Sequence, residues 1–129
     1  MPHRFIRSGP SLPAAPSPIS QAVVAGGHCY ISGQLAVDEE GVFRQGTARE
    51  EAARAFRNVF AAAEAAGFAR EEVVYVDIAF TDLADVAEVN ALFAEIFPED
   101  RRPARTIYQA AALPYGGRVK VQAVAVRES

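Results

Sequence analysis

Residues 73–80 read Val-Val-Tyr-Val-Asp-Ile-Ala-Phe, and this run of mostly β-branched and aromatic side chains decides the fold class. Apolar residues fall on both alternating faces, which is typical of a strand covered on both sides, so the run predicts a central strand. Residues 119–126, Val-Lys-Val-Gln-Ala-Val-Ala-Val, have the same character and predict the last strand. Both faces of these two strands therefore need a cover.

Helical patterns lie on either side of residues 73–80. Thr47-Ala48-Arg49-Glu50 has the spacing of a capping box, and Gly67 is a natural helix end. Asp82 is expected to cap a second helix, which Pro98 closes. Apolar residues recur every three or four positions in each helix: Ala52, Phe56, Val59, Phe60, Ala63 and Ala66 in the first, and Val86, Val89, Phe93 and Ile96 or Phe97 in the second.

Short strands make up most of the rest. The alternation predicts a strand within residues 3–8 and two paired strands, roughly 21–25 and 28–37, around a turn at Gly26-Gly27. Further strands are expected at Val42-Phe43-Arg44 and from Pro103 to about Ala111. Four prolines fix φ and remove backbone donors, so residues 9–19 should form an extended arm over the surface; they are Pro10, Pro13, Pro16 and Pro18.

The element order is ββ(β)αβαββ, and we expect one α+β domain over residues 1–129, with five to six strands and two helices. The two helices can cover one face of the sheet. The simplest cover for the second face is self-association, in which copies of the chain pack these second faces against each other.

Composition excludes several function classes. Thirteen basic and sixteen acidic side chains give a net charge of −3, so nucleic acid is a poor partner. Cys29 is the single cysteine and cannot form an internal disulfide, and one cysteine with two histidines far apart in the sequence, His3 and His28, cannot hold a metal. The first residues lack the apolar stretch of a signal peptide, and no run approaches the ~20 residues that span a bilayer, so we expect a cytoplasmic protein that does not bind membranes.

Few residues indicate chemistry by themselves. The sequence has no Gly-x-Gly-x-x-Gly, P-loop, His-Glu-x-x-His or Gly-x-Ser-x-Gly motif. Arg105 follows Pro103 at the start of a strand and could bind an anion, or it could form a surface salt bridge. Gly33 lies in the strand segment Ser32-Gly33-Gln34. A glycine there indicates that a ligand or another part of the backbone approaches closely, or else that the strand contains a bulge.

Two further residues need an interpretation. Asn90 interrupts the apolar side of the second helix, and it either bonds across to a loop or is a buried, satisfied amide. Cys29 alternates onto the same face as Ile31, so we interpret it as a small buried hydrophobic residue rather than a nucleophile.

Five motifs in order resemble the Rid family of reactive intermediate deaminases, also called YjgF or L-PSP endoribonuclease-like proteins. The resemblance covers about residues 16–127 and rests on these segments: Ser17-Pro18-Ile19-Ser20-Gln21-Ala22, Ile31-Ser32-Gly33-Gln34, Val89-Asn90, Pro103-Ala104-Arg105 with Leu113-Pro114, and Val121-Gln122-Ala123-Val124-Ala125. It implies a mixed sheet like that of the Bacillus-type chorismate mutase, assembled as a homotrimer around a central barrel with ligand clefts between subunits. It also implies hydrolysis of 2-imino or 2-aminoacrylate acids to 2-keto acids and ammonia, without a metal or organic cofactor.

The resemblance assigns candidate site residues. Arg105 matches the arginine that holds the substrate carboxylate. The contact is bidentate, and a lysine would reproduce it poorly. Ser32, Gly33 and Asn90 match residues of the same cleft.

Three positions depart from the family pattern. Ile19 stands where typical deaminases have tyrosine, Gln122 where they have glutamate, and Ile107 where many have cysteine. Gln122 can orient a water, but it cannot accept its proton.

The leading hypothesis is therefore an imine or enamine deaminase. The alternatives are a catalytically weak or silent trimer that binds small carboxylates such as 2-keto acids, an endoribonuclease or translation inhibitor, and a structural, chaperone-like trimer.

Overall fold

The computed structural model describes residues 2–127, whose six strands form one mixed sheet with two helices on one face. The strand order is β1-β2-β3-β6-β4-β5; β4 and β5 run parallel, and all other neighbours are antiparallel. This confirms the predicted α+β class, and residues 73–80 form an interior strand, although it is the fifth of six and the strands at 28–34 and 119–126 lie at the centre. The strands are β1 (Arg4–Ile6), β2 (Ala22–Ala25), β3 (His28–Gln34), β4 (Val73–Phe80), β5 (Ala104–Gln109) and β6 (Val119–Val126).

The helices are α1 (Ala48–Ala65) and α2 (Val86–Ile96). The predicted capping box is present at α1: the Glu50 backbone N–H donates to Thr47 Oγ1 over 3.1 Å, and the Thr47 N–H donates to Glu50 Oε1 over 2.9 Å. The prediction for Asp82 is wrong in detail. Asp82 caps a short 3₁₀ turn, Leu83–Asp85, by accepting from the Ala84 N–H at 2.9 Å, and α2 begins only after that turn.

The core lies between the helices and the sheet. Its centre is aromatic: the ring of Phe56 meets the rings of Phe93 and Phe97 edge to face, each at 5.9 Å between centroids. Alternate residues of β6, from Val119 to Ala125, face these helices and are buried. Cys29 is fully buried in the same core, and this burial raises the pKa of its thiol to about 11. The interpretation of Cys29 as a small buried hydrophobic residue is confirmed.

A buried carboxylate joins the start of α1 to the start of β6. Glu51 is 1% exposed, and its Oε1 accepts from the backbone N–H of Arg118 at 2.8 Å. Its Oε2 accepts from the backbone N–H of Gly46 at 3.2 Å. The side chain therefore satisfies two backbone donors that no sheet or helix partner takes up.

Three loop and strand predictions need correction. Residues 9–19 are not extended throughout, because Gly9 and Leu12 exchange two backbone hydrogen bonds in a tight turn that places Leu12 in the core. β3 ends at Gln34 rather than near residue 37. Residues 42–44 form no strand, and only an isolated bridge pairs Phe43 with Val37. In each case a local turn competes with sheet pairing.

The second face of the sheet carries a row of apolar and aromatic side chains across five strands. Register places Phe5 beside Val23, Val23 beside Tyr30, and Val124 between Tyr30 and Tyr75. Phe5 is 65% exposed and Tyr30 is 51% exposed. We continue to predict that self-association covers this face. In the part of the chain that the structure describes, no helix has the length and apolar character needed to cross a membrane.

Candidate functional site

Arg105 is anchored to α2 at the edge of the sheet. It lies near the start of β5, where one terminal nitrogen, Nη1, donates to Asn90 Oδ1 at 2.7 Å. The guanidinium carbon also lies 4.9 Å from the centre of the Phe93 ring, a cation–π distance. Arg105 is exposed and takes part in none of the ion pairs among residues 2–127. Its remaining N–H donors suit a carboxylate from outside the chain.

Asn90 has a different place from the two that we predicted. It is exposed, and its partner is a strand residue, Arg105, rather than a loop. The prediction failed because Asn90 lies at the edge of the helix's apolar stripe and not within it. Asn90 and Arg105 border an open groove of about 440 Å³, which we call the Arg105 groove. Its lining residues are Asn90, Phe93, Ala94, Arg102, Pro103 and Arg105.

Ile107 follows Arg105 on the same face of β5. It pairs in register with Ile78, is half-buried and packs against the core. Ile107 is therefore part of the core packing and is not among the residues that line the groove beside Arg105.

Ser32 and Gly33 lie at an irregularity of β3. The pairing of β3 with β6 shifts register between Ile31 and Gln34, so the predicted bulge is present. The Ser32 hydroxyl donates to the Ser20 carbonyl at 2.6 Å. Gly33 lines a cavity of about 290 Å³ together with Ile19, which is 50% exposed. We call this the Gly33 cavity.

Gln122 lies on the other side of the sheet from Arg105. It is exposed on β6, between the buried residues Val121 and Ala123, and pairs in register with Asp77 of β4. Arg105 instead packs on the helix side, over Phe93. The chain therefore brings Asn90 and Arg105 together, and separately Ile19 and Gly33, but Gln122 and Arg105 face opposite ways.

Sequence reasoning missed three residues near these positions. Lys120 and Tyr115 line the Gly33 cavity, and Asp77 places a half-buried carboxylate opposite Gln122. Tyr115 has a φ of 64°, a left-handed conformation unusual for an aromatic residue, and its ring stacks on Phe43 at 5.4 Å. Two-residue alternation in the sequence puts Lys120 on the same face of the strand as Gln122, but it does not show which neighbouring strand the side chain crosses.

Within residues 2–127, no three histidine, cysteine, aspartate or glutamate side chains are close enough together to hold a metal ion. The side chains that line the two cavities include the guanidinium groups of Arg102 and Arg105, the ammonium group of Lys120, and amide and hydroxyl groups.

Comparison with known proteins places the chain in a family. The model of the family described as Endoribonuclease L-PSP matches residues 10–127. The chain is 41% identical over 125 residues to a 2-iminobutanoate/2-iminopropanoate deaminase of Bos taurus, covering 96% of this chain and 90% of the relative. Among solved structures, RidA of an Antarctic Psychrobacter is 38% identical with a TM-score of 0.88 (96% and 100% of the two chains covered). The YjgF gene product of E. coli is 32% identical with a TM-score of 0.87 (97% and 100% covered). This chain belongs to the endoribonuclease L-PSP family, also known as the Rid or YjgF family.

Proposed function

We propose that the protein is a deaminase that hydrolyses a small 2-imino acid to the corresponding 2-keto acid and ammonia. The observation that carries the proposal is Arg105, an exposed guanidinium held in place by Asn90 and Phe93 with no internal anion among the described residues. Relatives named 2-iminobutanoate/2-iminopropanoate deaminase, at 41% identity in Bos taurus and 37% in Homo sapiens, support the same reaction class.

Arg105 binds the substrate carboxylate in this proposal. A guanidinium can donate two parallel N–H bonds to a carboxylate, which fixes the orientation of the acid as well as its position. Asn90 uses one N–H of Nη1 and restricts rotation of the side chain, so less entropy is lost when the substrate binds. Arg102, which lines the same groove, adds positive potential.

The site is completed by a second copy of the chain. Arg105 and Gln122 face opposite sides of their own sheet, so one chain cannot present both to one ligand. We propose a homotrimer in which the Arg105 groove of one subunit faces the Gly33 cavity of the next, so that Ser32, Gly33 and Ile19 line the same cleft. The exposed row that includes Phe5 and Tyr30 gives such an assembly an apolar face to bury.

The reaction needs water and no further reactant. Water adds to the imine carbon of R–C(=NH)–COO⁻, a proton moves from the added water to the nitrogen, and the C–N bond of the resulting carbinolamine breaks to give R–CO–COO⁻ and NH₃. Gln122 orients the water by accepting a hydrogen bond at Oε1. Its amide cannot take up the proton, so that proton passes to the substrate nitrogen or to solvent.

The test is a coupled assay. A dehydratase generates 2-aminoacrylate from serine or 2-iminobutanoate from threonine, and decay of the imine is followed with native protein, Arg105→Ala and Arg7→Ala. Arg7 is an exposed arginine outside both cavities and serves as the matched control. We expect the native protein and Arg7→Ala to speed the decay and Arg105→Ala to lose the effect. Equal rates for native protein and Arg105→Ala would refute this site.

The second candidate function is binding without turnover, which Gln122 and Ile19 favour because the family glutamate and tyrosine are absent. It predicts saturable binding of 2-oxobutanoate by a native protein that leaves imine decay unchanged, and a gain of activity in Gln122→Glu. A parallel incubation of the native protein with RNA tests the endoribonuclease hypothesis. RNA that stays intact would exclude that hypothesis.

A further inference from the structure

The Gly33 cavity contains a positive charge that the proposed reaction does not use. Lys120 is the only lysine of the chain, it lies on β6 and it is half-buried. Its side chain lines the cavity together with Ile19, Gly33 and Tyr115.

Gly33 sets the direction of this lysine. A Cβ built on Gly33 would lie 2.3 Å from Lys120 Cε and 3.3 Å from its Cδ, so the lysine stem crosses β3 directly over the glycine. Any larger residue at position 33 would displace the stem. Asp77 is the nearest carboxylate in the strand register, one cross-strand pair along on β4, but no ion pair joins it to Lys120. The amine is therefore directed away from Asp77 and towards the cavity.

The cavity offers this ammonium no anion of its own. Among its lining residues, all of which fall within the described range 2–127, none is acidic. On its wall, Gln21 Oε1 already accepts a hydrogen bond from Gln34 Nε2 at 2.8 Å, and Asn58 Nδ2 donates to the Val37 carbonyl at 2.8 Å. A half-buried lysine beside an acid-free cavity of about 290 Å³ supplies both the charge and the space for one end of a small acid.

We propose that Lys120 binds a second carboxylate of the substrate, so that the protein acts on dicarboxylic 2-imino acids. This inference rests on the proposed function: Arg105 of one subunit holds the carboxylate next to the imine, and Lys120 of the neighbouring subunit holds the carboxylate at the far end of the substrate. Two cations at opposite ends of one cleft select a dianion, because a monocarboxylate leaves one of them without a partner.

The first test compares two substrates of equal length. Amino-acid oxidases generate the imines of glutamate and norvaline, which differ only in a terminal carboxylate against a methyl group, and the remaining imine is trapped as a semicarbazone. The readout is kcat/KM for the imine of glutamate divided by kcat/KM for the imine of norvaline. We expect Lys120→Met to lower this ratio about 10- to 100-fold, the range of a charge-assisted hydrogen bond. Arg7→Met, which removes one exposed charge elsewhere, should leave it unchanged.

A second variant keeps the charge and moves it. Gly33→Ala places a methyl group in the path of Lys120, so it should lower the same ratio although the lysine is still present. An unchanged ratio in Lys120→Met would overturn the inference and leave the deaminase proposal intact. An unchanged ratio in which both imines slow equally would mean that Lys120 holds the same carboxylate as Arg105.

The third test needs no turnover and so separates the two proposals. Reductive methylation with ¹³C-formaldehyde labels the Lys120 amine and the α-amine, and the Lys120→Met protein identifies the lysine signal. We expect 2-oxoglutarate, and not 2-oxopentanoate, to move the Lys120 resonance saturably, with the α-amine as internal reference. If the native protein accelerates no imine, this shift alone decides the inference: its presence supports the anion site, and its absence overturns it.

Discussion

Glu51 gives the sharpest stability prediction, because its buried carboxylate holds two backbone N–H groups of different segments. Glu51→Ala leaves both donors unpaired. Hydrogen bonds to charged groups contribute about 1.5–3 kcal/mol each, and the 3.2 Å bond to Gly46 is weaker than the 2.8 Å bond to Arg118. We therefore expect a loss of about 3–5 kcal/mol in the free energy of unfolding, and a fall in Tm of roughly 10–20 °C for a chain of this size.

The assay is urea unfolding followed by circular dichroism, at fixed protein concentration because self-association would contribute to stability. Glu64→Ala is the matched control, since Glu64 is exposed on the same helix. Glu51→Gln should fall between the two, because one amide oxygen still accepts while the NH₂ group meets a second donor. A Glu51→Ala protein within about 1 kcal/mol of Glu64→Ala would refute the reasoning.

Two other predictions concern a thiol and an amide. Burial raises the pKa of Cys29 from 9.0 to about 11, so between these pH values the unfolded chain loses a proton that the folded chain keeps. The free energy of unfolding should therefore fall as pH rises from 9 to 11, by up to about 2–3 kcal/mol, and Cys29→Ala should lack this part of the pH dependence in urea titrations; parallel curves for the two proteins would contradict it. Asn90→Asp puts a carboxylate at the position 2.7 Å from Arg105, where it competes with the substrate. We expect KM for 2-iminobutanoate to rise about tenfold, as for loss of a modest charged contact, with a smaller change in kcat; an unchanged KM would mean that Arg105 does not bind the carboxylate.

Much of the fold follows from local patterns. The capping box at Thr47 and Glu50 and the two-sided apolar run at residues 73–80 predicted α1 and the interior strand β4, because both signals lie within a few neighbouring residues. Residues 42–44 and Asp82 were interpreted wrongly for the opposite reason. The conformation of residues 42–44 depends on hydrogen bonds with residues 36–38, which compete with strand pairing. Asp82 caps the 3₁₀ turn at residues 83–85 instead of the helix that follows it.

The candidate site was less predictable. Family resemblance marked Arg105 and Asn90 as site residues but did not show that they bond to each other, since that requires knowing that α2 packs beside β5. Neither could the opposite orientations of Arg105 and Gln122 be predicted, because they depend on the order of the strands. Lys120 was overlooked because a lone lysine on a strand is usually a solvent-facing residue, and only the contact with Gly33 gives it a direction.

The position of β6 has a consequence for how the protein is made. Residues 119–126 lie between β3 and β4, although they follow all the other strands that the structure describes within residues 2–127. During synthesis, one edge of β3 and one edge of β4 therefore stay unpaired until residues 119–126 have left the ribosome. The six-stranded sheet can form only when β6 pairs with both of them. A translation product that stops before residue 119 would present two open edges that can pair with other chains, so premature termination should yield aggregates rather than a shortened, folded protein.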